Sequence, residues 1–168
     1  MPQVPIGTKF VGISANVPTP ENKSSQNNAF QEVYTIEDIA GSISLTLPFE
    51  MLAVASDELT PITTGTSKVT FRMPCLIQLL DVRASLTTAQ SSGNIFTVDI
   101  RKNGISIFDL GFLLTIDNNE KTSLTAINKY LLATDKLDDD DEIAVDVTQI
   151  GNGTATGLKI TIIGTREF

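Results

Sequence analysis

From Gly65 onward the chain alternates apolar and polar residues with a period of two, the repeat of strands that bury one face and wet the other. In EIAVDVTQI, Ile143, Val145 and Val147 fall on one side and Ala144, Asp146 and Thr148 on the other. LKITIIGT repeats the pattern with Leu158, Ile160 and Ile162, and LLDVRASL sets Val82, Ala84 and Leu86 against Asp81, Arg83 and Ser85. FTVDIRK places Val98 and Ile100 opposite Asp99 and Arg101, while KVTFRM and LGFLLTID supply further strands. Within KNGISIF, Asn103-Gly104 predicts a two-residue hairpin turn, because both positions tolerate positive φ. Short strands separated by TAQSSGN, DNNEK and GNGTATG predict an all-β fold, an antiparallel β-sandwich or jelly roll. One piece fits poorly. Residues 123–137 space Leu124, Ile127 and Leu131 as a helix would, but their β neighbourhood favours an extended crossing segment.

The first third reads differently. Residues 15–31 are polar and rich in asparagine and proline, the composition of an extended arm. Thr35 followed by Asp38 resembles a capping box, and Gly41 is a stop signal, so one short helix is expected over residues 36–40. Its apolar face, Ile36, Ile39 and Ala40, is too small to stand alone in water and needs a docking surface. Ile43, Leu45 and Leu47 then alternate with Ser42, Ser44 and Thr46 as a strand that Pro48 ends or forces to a sheet edge. Residues 56–67 have the composition of a linker. The expected organisation is therefore an N-terminal segment, 1–60, and a sandwich domain, 61–168.

Composition removes several classes of chemistry. The chain has no histidine, which excludes Ser-His-Asp and Cys-His catalysis and imidazole ligation. One cysteine, Cys75, forbids an intrachain disulfide and reads as a small buried hydrophobe. A net charge of −8 offers no basic stripe to a nucleic acid. Tryptophan is absent, which weakens a sugar platform, and no secretion signal or membrane insertion is expected from the first twenty residues. The run KLDDDDEI reads as the solvated turn before a strand, with calcium at Asp138, Asp140 and Glu142 as the alternative. Consecutive acids in an extended chain point to opposite sides, so only some could converge on one ion. Asp99 and Asp146 are the candidate carboxylate pair for glycoside hydrolysis, expected instead as an ordinary surface pair. NGTATG does not join a strand to a helix, so no phosphate loop is expected there. The acceptor-like tripeptides at Asn22 and Asn152 are taken as chance matches. No catalytic residue, cofactor or firm metal ligand emerges.

The ordered motifs GTSKVTFRMP, LLDVRASLTTA, FTVDIRKNGISIF, LTIDNNEKTS, LDDDDEIAVDVTQIG and GLKITIIGTR resemble a β-sandwich domain of tailed-bacteriophage virion proteins, the fibre and decoration proteins. NNAFQEVYTIEDIAG is similar to short segments that precede such domains. The resemblance implies a homotrimeric head or tail fibre on the exterior of the virion, anchored through its N-terminal part to capsid or tail proteins. Phe30, Tyr34, Ile36, Ile39, Ile43, Leu45 and Leu47 are then the expected attachment and oligomerisation residues. The alternative is a decoration protein that binds a host receptor or glycan. In either, the acidic run becomes the wet end of a strand.

Overall fold

The computed structural model describes residues 46–167. Of the expected arm, the helix over 36–40 and the seven attachment residues, only Leu47 falls among them; Phe30, Tyr34, Ile36, Ile39, Ile43 and Leu45 lie outside. The described residues form an all-β sandwich. In chain order the strands are β1 (Thr46–Val54), β2 (Gly65–Arg72), β3 (Ile77–Ser85), β4 (Phe96–Lys102), β5 (Ile105–Ser106), β6 (Leu114–Ile116), β7 (Lys136–Leu137), β8 (Glu142–Gln149) and β9 (Lys159–Glu167).

One sheet runs β1-β9-β3-β7; the other runs β2-β8-β4, with β5 and β6 sharing the far edge of β4. All pairings are antiparallel. Apart from the β4-β5-β6 run, each connection crosses from one sheet to the other, which is the strand order of a jelly roll with one position split in two. The alternation predicted from sequence sets the packing. Val82, Ala84, Ile160 and Ile162 from one sheet meet Val98, Ile100, Ile143, Val145 and Val147 from the other in a core that water does not reach. Asn103 and Gly104 have φ of 50° and 84° and join β4 to β5 as expected. Cys75 is half-buried and packs against the core.

The compact unit begins at Thr46, earlier than the boundary expected at 60/61. The physical reason is β1, which pairs along all nine residues with β9 and turns Met51 and Ala53 into the core. The linker-like loop that follows is also fastened. Ala55 N–H donates to the Leu158 carbonyl, and Ile62 N–H to that of Ala155, both at 2.8 Å, while Ile62 itself is buried. Pro48 is accommodated because β1 is an edge strand. Leu47, on the inward-facing row where the core thins out, is 43% exposed.

Residues 121–132 cross between the sheets without a helix longer than the 3₁₀ turn Ser123–Thr125. They cover the edge of β3 beyond the short β7. Lys121 carbonyl accepts from Leu86 N–H, Ser123 Oγ from Ala84 N–H and Tyr130 Oη from Val82 N–H, at 2.9, 2.9 and 3.0 Å. Side-chain hydroxyls thus substitute for the missing strand. Serving that edge turns Leu124, Ile127 and Leu131 outward, so their helix-like spacing buries nothing.

Candidate functional site

Three constellations could carry function. The first is the acidic turn. Asp140 sits at φ 62°, which turns the chain sharply and separates its neighbours. Asp138 and Asp141 face Lys102, whose Nζ lies 3.1 and 2.9 Å from them, and Asp138 also pairs with Lys136 at 3.0 Å. Asp141 is buried, accepting from Asn103 Nδ2 and from the Asp138 amide at 2.6 Å each. Asp140 and Glu142 lean instead toward Arg72, at 3.9 and 3.2 Å. Of the candidate ligands, Asp138 is therefore drawn to Lys102 and Lys136 while Asp140 and Glu142 share Arg72, so the three do not converge on one point. Among the described residues no three acids or thiols converge as a metal site. Lys136 and Lys102 hold the Asp138 carboxyl below its ordinary range. Burial would raise that of Asp141, but Lys102, the Asp138 amide and Asn103 outweigh it and lower it. The same contacts outweigh burial at Lys102 and raise its ammonium.

The second is Asp99 with Asp146, direct partners across β4 and β8 on the outer face of the second sheet. Their strand faces are as expected, but the surface pair is not: Asp99 is 6% and Asp146 2% exposed. The register shift in β2 brings Ser67, at φ 51°, over the sheet, and its N–H donates to Asp146 Oδ1 at 2.6 Å. Ser106 Oγ donates to Asp99 Oδ1 at 2.6 Å and itself accepts from Phe108 N–H. Arg101 Nε lies between the acids, 3.4 Å from Asp99 and 2.8 Å from Asp146, the shorter pair lying off hydrogen-bond alignment. A hydrolytic pair faces a substrate across an open cleft with one proton held. Here two carboxylates share one guanidinium inside the sheet surface, an arrangement that fastens β2 and β5 to β4 and β8.

The third was not anticipated. The loops before β6 and after the 3₁₀ turn lie side by side, Leu131 N–H donating to the Phe112 carbonyl at 3.2 Å and Thr115 Oγ1 to that of Asn128 at 2.8 Å. Between them and the end of β8 runs an open groove of about 560 Å³. Phe112, Leu113 and Ile127 supply its apolar wall; Thr97, Asn128 and Gln149 its polar one. Ile127 is 85% and the adjoining Leu110 fully exposed. The helix-like spacing of residues 123–137 concealed this; the apolar run GFLL beside a turn was the signal available.

Sequence reasoning also missed Gln90, which is fully buried and ties three loops together. Its Nε2 donates to the Asn94 carbonyl at 2.6 Å and to Asn118 Oδ1 at 2.8 Å, and its Oε1 accepts from Gly151 N–H at 2.6 Å. In the same corner Asn152, one of the acceptor-like asparagines, is hydrogen-bonded to Ser91 Oγ at 2.9 Å. No helix of the described residues is long and apolar enough to cross a membrane. Comparison with known protein families, with characterised proteins and with solved structures returns no match to this chain.

Proposed function

We propose that this chain is a non-catalytic structural protein of a tailed-bacteriophage virion, a homotrimeric head or tail fibre whose sandwich faces outward and whose first 45 residues anchor it to capsid or tail proteins. The observation that carries the non-catalytic part is the state of the acids. Asp99 and Asp146 share Arg101, and the acidic turn is divided between Lys102, Lys136 and Arg72, so both clusters act as internal fasteners. The phage assignment rests on the ordered motifs from GTSKVTF to TIIGTR and on a jelly roll that suits an exposed appendage. Antibodies raised against residues 46–168 should label the outside of intact, purified particles in electron micrographs. Particles that lack the chain would overturn the reading.

A second reading, contact with a host receptor or glycan, is favoured by the groove beside Phe112. It combines one exposed aromatic ring with the amides of Asn128 and Gln149. Saturable binding to host cells that Phe112→Ala reduces at least tenfold would support it. Binding unchanged by that substitution would remove the groove from consideration.

A further inference from the structure

We infer that the outer face of the β1-β9-β3 sheet is the contact surface between copies of this chain; the inference deepens the trimeric reading above and rests on it. The register defines the face. Pro48, Thr165 and Gln78 make one row across the three strands; Glu50, Ile163 and Asp81 the next; then Leu52, Thr161 and Arg83; and then Val54, Lys159 and Ser85. The β-bulge between Leu79 and Asp81 adds Leu80 as an extra residue, 58% exposed. Leu52 is 58% and Val54 54% exposed on β1, and Ile163 between the strands is half-buried. Apolar side chains therefore occupy both margins and the centre of a face that a solitary sandwich would keep polar.

Charge selects the occupant. The rows carry two acids, Glu50 and Asp81, and two bases, Arg83 and Lys159, so the chain's net −8 arises entirely elsewhere. Arg83 is paired with Asp81 at 2.7 Å, and Lys159 with Glu58 at 2.5 Å. Two copies of an acidic protein repel when they approach by most surfaces; this locally neutral, apolar face is where they meet without that cost. A basic partner would be drawn to the acid-rich remainder. Position supports the same occupant, because β1 is the strand into which residues 1–45 lead, so contact here would hold the N-terminal segments of the copies close to one another.

The two margins differ and complement each other, so they can meet around the closed three-fold ring that the trimeric reading requires. The β1 margin offers Leu52, Val54 and Glu50, and Glu50 has no ion-pair partner among the described residues. The β3 margin offers Leu80 and Arg83. In a three-fold ring the β1 margin of one copy meets the β3 margin of the next, leucine against leucine and Glu50 against Arg83.

Light scattering after size exclusion of the full chain tests this. The wild type should elute at three times its 18.1 kDa chain mass. Leu52→Glu combined with Leu80→Glu should elute at one third of the wild-type mass while keeping its far-ultraviolet circular dichroism. Ile127→Glu, in the loop groove, should leave the mass unchanged. If the double leucine variant does not fold, the charge exchange decides: Glu50→Arg and Arg83→Glu should each weaken association, and together restore it. A double leucine variant that stays trimeric, or an exchange with no restoration, overturns the face and leaves the trimer standing. A monomeric wild type overturns the face and the trimer together, while particle labelling still decides the virion assignment.

Discussion

At the scale of single residues, the buried polar groups decide more than the exposed ones. Arg101 is the sole cation between Asp99 and Asp146, so Arg101→Met leaves two carboxylates in a surface that water scarcely reaches. A loss of about 3 kcal/mol is expected, the usual cost of orphaning a buried charge. The triple variant with Asp99→Asn and Asp146→Asn should recover most of it in urea denaturation. Gly151 makes a second test. A Cβ there would press on the Ser92 carbonyl and come within 2.8 Å of Gln90 Nε2 and the Asn94 carbonyl. Gly151→Ala should therefore cost about 1–3 kcal/mol as an overpacked site, whereas Gly153, at φ 72° with open space around it, carries only the conformational penalty of about 1–2 kcal/mol. Period-two alternation revealed which side of β4 and β8 Asp99 and Asp146 occupy. It could not reveal their burial, which depends on Ser67 and Ser106 arriving from other strands. Nor could it mark Gln90, a polar residue in a polar stretch whose three partners come from distant turns.

At the scale of elements, the turn before β8 is an electrostatic clasp, and its pH response has a definite sign. Asp138 and Asp141 have carboxyls lowered on folding. Their stabilisation is present above the unfolded range, about pH 4, and is lost as pH falls through the lowered native values. Asp141→Asn should flatten the acid limb of a plot of Tm against pH. Tyr130 acts at the opposite limit. Burial, and then its hydrogen bond to Asp81, push the phenol up to about 12 from an ordinary 10.0. The native state thus keeps a proton that the unfolded chain releases between those values, and stability falls as pH rises through that interval. Tyr130→Phe should make the alkaline limb shallower, with the raised Lys102 ammonium accounting for what slope remains. The strands themselves were legible because each pattern is local: β4, β8 and β9 stand where alternation put them. The crossing segment was not, since its role is to supply Ser123 and Tyr130 hydroxyls to β3, and nothing in residues 121–132 announces that edge.

At the scale of the whole molecule, composition suggested a boundary at 60/61 because the loop after β1 is polar. The sheet shows why composition misled. A strand's membership is decided by its partner, and the partner of β1, β9, lies more than a hundred residues away. A chain starting at Leu45 should unfold cooperatively on heating. One starting at Pro61 strips the outer neighbour from β9, exposes Ile160 and Ile162, and should lack a cooperative transition by circular dichroism. β9 also lies between β1 and β3, so the last of the described strands in chain order fills an interior place in its sheet. During synthesis the preceding strands therefore wait, with β1 and β3 lacking their common partner, until residues 159–167 leave the ribosome tunnel. Folding of such a topology is governed by a late, long-range closure, and it is slow for that reason. The same wait makes the end of the sandwich an all-or-none requirement. A chain that stops before β9 leaves β1 and β3 without their common partner and has no jelly roll to present.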